Sequence, residues 1–260
     1  MNQLIKFSAV GLFAGLLTSA ALAVGVDVPS TNALGNESGH LRLGLAAMSK
    51  NPVYDNYDEE GRAVPLIFYS GERFYWMGPQ GGFNFINGST HQLSAIVEVA
   101  PDSWERSELQ RPHGSPIAGR DDSDRSFNAG VQYLFKSDFG NVKLKAAKDI
   151  SGAHDGEYYE LDYSYPMHLG DKWTVVPGIS VTQFDKDYTA YYFADNPSNG
   201  SGDEAIRTSF KLGVTYELND NWQILAGASL STLDDIDENA VIIEDDDEST
   251  FYIGFTYKVF

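Results

Sequence analysis

Apolar and polar residues alternate along most of this chain with a period of two. In RSFNAGVQYLFK, Phe127, Ala129, Val131, Tyr133 and Phe135 share one face, and Ser126, Asn128, Gly130, Gln132 and Lys136 share the other. In AIRTSFKLGVTYEL, Ile206, Thr208, Phe210, Leu212, Val214 and Tyr216 oppose Arg207, Ser209, Lys211, Gly213, Thr215 and Glu217. The C-terminal FYIGFTYKVF repeats the pattern, Phe251, Ile253, Phe255, Tyr257 and Val259 opposing Tyr252, Gly254, Thr256 and Lys258. Such segments are strands with one apolar and one polar side. About twelve are predicted, near 38–48, 62–69, 72–78, 81–87, 90–100, 125–136, 139–148, 156–167, 172–183, 204–218, 221–232 and 249–260. No segment between the leader described below and the C-terminus shows a helical period.

The connections choose the architecture. The long ones, 49–61, 101–124, 184–203 and 233–248, are odd in order; even ones are tight turns such as SGE, SDFG and NDN. Long loops and short turns therefore lie at opposite ends. That segregation, with an even strand count, predicts an all-β, up-and-down antiparallel transmembrane barrel of about twelve strands, apolar face outward to lipid. A soluble sandwich or lipocalin-like barrel has no reason to segregate its loops and would turn its apolar face inward. Trp76, Trp173, Trp222 and many tyrosines near strand ends suit membrane interfaces. The aromatic C-terminus then lies against lipid, its strand paired with the first. Phe260 itself is out of phase with that face.

The first 23 residues read differently. Lys6, the apolar run Phe7–Leu17 and Ala21-Leu22-Ala23 form a signal peptide, cleaved after Ala23, leaving 24–260 as the barrel with long acidic outer loops. Removing Lys6 leaves 17 basic and 37 acidic residues, a net charge of 17 − 37 = −20. A surface so negative repels nucleic acid, excluding that partner. Zero cysteines exclude disulfides, thiolate metal sites and cysteine nucleophiles.

Several stretches, taken in order, carry a resemblance: PLIFYSGERFYWMGPQGGF (65–83), GRDDSDRSFNAGVQY (119–133), GDKWTVVPGISV (170–181), YTAYYFADN (188–196) with a following DEA, and LNDNWQILAGASLSTL (218–233). Together they resemble the MipA/OmpV family of outer-membrane proteins, over essentially the whole mature chain. The chain departs from the family at Tyr192-Phe193-Ala194-Asp195 and in ENAVIIEDDDES of the last loop. The resemblance implies a barrel in the bacterial outer membrane, contacting lipid and lipopolysaccharide and inserted by the barrel-assembly machinery. It also implies a scaffold role, joining a lytic transglycosylase of the murein layer to a murein synthase. It attaches no catalytic residues and no cofactor. A cation-preferring diffusion channel and an outer-loop adhesin are the alternatives.

Two charged constellations follow from the alternation. Arg42, Glu98, Lys143, Lys145, Glu160, Asp162, Arg207, Lys211, Glu217 and Lys258 point into the predicted lumen, with Lys143 and Lys145 one strand from Glu160 and Asp162. They read as a plug of ion pairs or as the lining of a polar channel. Asp234, Asp235, Asp237, Glu238, Glu244, Asp245, Asp246, Asp247 and Glu248 put nine acids and no base in the last loop. With Asp55, Asp58, Glu59, Glu60, Asp121, Asp122 and Asp124 they make a negative outer rim, solvated or holding divalent cations. His113-Gly114-Ser115, the sole H-x-S, lies in a Pro- and Gly-rich loop unsuited to holding catalytic geometry. His40, His91, His154 and His168 stand singly and suggest no metal centre.

Overall fold

A computed structural model describes residues 39–54, 61–100, 102, 126–194, 203–236, 243 and 245–260. The strands are β1 (His40–Asn51), β2 (Arg62–Ser70), β3 (Phe74–Met77), β4 (Gln80–Asn87), β5 (His91–Val99), β6 (Phe127–Ser137), β7 (Gly140–Asp149), β8 (Glu157–Ser164), β9 (Met167–Leu169), β10 (Trp173–Phe184), β11 (Ala205–Glu217), β12 (Trp222–Asp234) and β13 (Asp247–Lys258). One helix, α1 (Lys186–Phe193), follows β10. Each strand pairs antiparallel with its neighbours, and β1 with β13 closes the ring. β8 and β9 both lie along β10 and form one wall strand interrupted at Tyr165-Pro166, so the closed barrel counts twelve. Proline lacks the N–H a continuous ladder needs, which is why the strand expected at 156–167 is broken there.

The alternation sets which way side chains face. On β13, Phe251, Ile253, Phe255 and Tyr257 are exposed outward, while Tyr252 and Thr256 are buried in the lumen. On β1, Leu43 and Leu45 face out and Ala46 and Met48 face in. In lipid every backbone group must be bonded within the protein, and a closed ladder does this without an edge. Trp173 packs against Tyr216 with ring centres 4.5 Å apart and Trp222 against Tyr257 at 5.0 Å, both pairs tilted, making an aromatic belt at the short-turn end. Past Lys258 the chain still bonds β1, Leu41 N donating to the Phe260 carbonyl at 3.3 Å. Phe260 lies beyond the last strand residue, where the period of two no longer dictates its direction.

The turns at the short end are set by side chains. Asn219 Oδ1 accepts from the N–H groups of Asn221 and Trp222, each at 3.0 Å, closing an Asx turn. Gly140, at φ +114°, ends the Ser137–Gly140 turn in a conformation open to glycine.

Candidate functional site

Inward-facing charges from four strands, β5, β7, β8 and β11, meet halfway along the lumen. Register places Lys143 beside Asp162 and Lys145 beside Glu160 across β7 and β8, but the ion pairs run diagonally as well. Lys143 Nζ lies 2.7 Å from Glu160 Oε1, and Lys145 Nζ lies 3.4 Å from Glu160 Oε2 and 3.3 Å from Glu98 Oε2 on β5. Lys211 Nζ reaches Asp162 from β11 at 3.1 Å. Tyr158 donates a short hydrogen bond to the other oxygen of Glu98. These groups line a cavity of about 230 Å³ together with Gln80, Gln132, Ser180 and Ser209. Three lysines and three acids balance, so burial leaves no net charge to solvate.

Above the cavity, at the long-loop end, the lumen is filled. Asp185 caps α1, its carboxylate accepting from Tyr188 N at 2.9 Å. Tyr188, Tyr192 and Phe193 are fully buried and pack on Val53, Tyr54, Ala147, Tyr158, Phe184, Ala205 and Leu233. Those partners come from around the ring, so the helix spans the mouth as a plug. The sequence reading of 184–203 as loop, with no helix, is corrected here. Five of the eight residues are aromatic or β-branched, and the segment is too short for a clear helical period. The usable signal was the Asp185 cap with Tyr188 and Tyr192 four apart.

A second charge cluster ties the plug to the wall. Arg207 grips Asp102 bidentately, Nη2 to Oδ1 at 2.9 Å and Nη1 to Oδ2 at 3.3 Å. Its Nε stands 2.8 Å from Glu248 Oε2 as a charge contact rather than an aligned hydrogen bond. Its guanidinium lies over the rings of Phe184, at 5.0 Å, and Phe193. Tyr188 donates to Asp102 Oδ2 at 2.9 Å. Burial pushes the Asp102 carboxyl up, but the Arg207 charge and hydrogen bonds outweigh it and hold it below the usual range. Beside this, His154 is caged by the rings of Tyr188, Tyr191 and Tyr192. Gly156 N donates to its Nδ1 at 3.0 Å, and burial pulls its pKa down against the pull of nearby aspartates.

The other expected residues are dispersed. Arg42 and Lys258 are register partners on β1 and β13 near the short-turn end, and Glu217 accepts from the buried Gln223 at 2.6 Å. Glu248 is corrected: it is buried in the lumen on Arg207, not on the rim, because β13 begins at Asp247 and alternation turns the next residue inward. Asp234 and Asp235 are exposed, and the carboxylates of Asp245, Asp246 and Asp247 lie within 4.8 Å of one another at the surface. Asp237, Glu238, Glu244, the first- and third-loop acids Asp55, Asp58, Glu59, Glu60, Asp121, Asp122 and Asp124, the His113–Ser115 triplet and the leader lie outside the described residues. Asp102 was missed altogether; it is a loop residue, where no periodicity assigns direction.

Known proteins place this architecture. The family described as MltA-interacting protein MipA matches residues 43–259. YiaT of Escherichia coli strain K12, named as an outer membrane protein, is 24% identical over 85% of this chain and 92% of its own. The MltA-interacting protein of the same strain is 23% identical over 91% of this chain and 97% of its own. Among solved structures, the NanC porin covers 84% of this chain and 100% of its own at 9% identity and a TM-score of 0.44. The Pseudomonas putida toluene transporter TodX covers 90% and 92% at 9% identity and a TM-score of 0.41.

Proposed function

The chain belongs to the MltA-interacting protein MipA family, and from that premise we propose that it is a non-enzymatic outer-membrane scaffold. It holds a lytic transglycosylase, and through it a murein synthase, at its short-turn face in the periplasm. The observation that carries this reading is the filled mouth. A barrel whose lumen is crossed by α1 and pinned by Asp102, Arg207 and Glu248 is suited to presenting its ends rather than to conducting. The name of the Escherichia coli relative supports a partner of the transglycosylase kind. The short-turn end offers rigid, side-chain-bonded turns, with Phe139 projecting 84% exposed beside Ser137.

Photocrosslinkers at Ser137 and Asn219 in living cells test it. Capture of a lytic transglycosylase or murein synthase is expected; capture of the assembly machinery alone would count against the scaffold. In planar bilayers the scaffold reading expects no stable conductance, whereas a steady cation-preferring current would favour a diffusion channel.

A further inference from the structure

One inward-facing row at the short-turn end of the lumen brings together hydrogen-bond donors and no acid. Register aligns Lys136 of β6 with Asn141 of β7, and Asn141 with Ser164 of β8. Alternation turns all three inward: Leu134, two residues before Lys136, and Lys143, two after Asn141, line the lumen cavity, as Ser164 itself does. Neighbours in the row stand one strand spacing apart, ~4.8 Å. The tight turn between β6 and β7 fixes the first pair, Ser137 Oγ donating to the Gly140 carbonyl at 2.8 Å. Beyond Ser164 the row continues to Gly178 of β10, which lines the cavity without putting a side chain into it.

The three side chains are linked by what they lack. Asn141 is 3% exposed and Ser164 7%, yet Asn141 Nδ2 and Ser164 Oγ have no hydrogen-bond partner. Lys136 is half-buried, and among the described residues no carboxylate pairs with it. Asp162, the inward acid that precedes Ser164 on β8, is taken up by Lys211 at 3.1 Å. Buried polar groups are nearly always bonded, so two orphans beside an unpaired ammonium mark a place where a further group belongs. Water would satisfy Asn141 and Ser164 but would leave the lysine charge unneutralised in a partly desolvated position. An anion satisfies all three. One positive charge matches one carboxylate, whereas a phosphate monoester brings about −1.5 to −2 at pH 7 and leaves an excess.

We propose that Lys136, Asn141 and Ser164 form a binding site for a small organic carboxylate entering the lumen from the periplasm. The carboxylate lies across the row, and the body of the ligand occupies the base of the cavity beside Leu134, Val176 and Gly178. The site lies inside the lumen and does not rest on the scaffold reading, which concerns the outer surface of the turns.

The test titrates N-trifluoroacetylglycine into the full chain refolded in detergent micelles and reads binding from the fluorine NMR shift and line width. N-trifluoroacetylglycinamide, the same body without the charge, is the control. The acid is expected to bind at least tenfold more tightly than the amide. Lys136→Met should weaken the acid at least tenfold, and Asn141→Ala and Ser164→Ala should each weaken it by roughly ten- to a hundredfold, as for hydrogen bonds to a charged group. Heat-modified gel mobility reports whether each variant has folded. Equal binding of acid and amide, or no binding of the acid, overturns the site without recourse to any variant. Binding that survives Lys136→Met in a folded variant overturns the assignment to this row. Inorganic phosphate displacing the acid at lower concentration than acetate does would overturn the carboxylate assignment.

Discussion

Arg207→Ala should release the plug without unfolding the barrel. The side chain holds two buried carboxylates, Asp102 at 2.9 Å and Glu248 at 2.8 Å, and covers the faces of Phe184 and Phe193. Removing one member of a buried ionic cluster leaves uncompensated charge and costs about 3–5 kcal/mol. The strand ladders do not depend on Arg207, so the cost falls on the weakest unit touching it, the contact of α1 and residue 102 with the wall. At 1.4 kcal/mol per decade, local opening should rise roughly a hundred- to several-thousand-fold. Hydrogen exchange of the 188–193 amides in nanodiscs reads this directly, and flickering conductance in planar bilayers gives a second readout. The variant Arg207→Met with Asp102→Asn and Glu248→Gln should recover most of the protection, since it removes the stranded charges. A change under threefold in the single variant, or a triple variant as open as the single, would refute the reasoning.

Other outcomes follow from particular contacts. His154 is held neutral by burial, its folded pKa below the unfolded ~6.5. Its contribution is therefore present above that value and lost as pH falls through the folded pKa. Exchange of α1, corrected for intrinsic rates, should rise from pH 7.5 to pH 5, and His154→Gln should flatten the trend. Asp149 accepts from Ser151 N, Ser151 Oγ, His154 N and Asp155 N. Asp149→Ala should loosen the β7–β8 connection by about 2–3 kcal/mol, seen as faster cleavage there by protease, with Asn restoring part of it. A Cβ at Gly227 would meet the Tyr252 ring at 2.4 Å. Gly227→Ala should cost about 1–3 kcal/mol in barrel stability by urea unfolding, and Tyr252→Leu should relieve it. Asp245→Asn with Asp246→Asn and Asp247→Asn, at an exposed cluster, should leave the urea midpoint unchanged.

How far the sequence carried depends on whether a residue sits in a period. Lys143, Lys145, Glu160 and Asp162 could be placed inward and side by side because a strand fixes direction every second residue, and loop lengths fixed which strands are neighbours. The diagonal reach of Lys145 to both Glu98 and Glu160 could not be read, since it depends on barrel shear and on rotamers. Glu248 illustrates the limit well. Composition grouped it with the acidic loop, yet strand β13 starts one residue earlier and a shift of one residue exchanges solvent for lumen.

The plug was the part least legible, and for a physical reason. Lumen-facing strand residues announce themselves by contrast with lipid-facing ones, but a segment folded back into the lumen is in contact only with protein and shows no such contrast. Tyr188, Tyr192 and Phe193 are apolar on several sides because their surroundings are. Their counterparts were equally hidden: Asp102 follows the last residue of β5 by three and crosses to β11, a pairing that only the closed ring brings within reach. What the sequence does carry is the cost of the arrangement. A buried arginine needs buried acids. Arg207 in an otherwise ordinary strand face implied acidic partners from across the barrel, and the closed ring identifies them as Asp102 and Glu248.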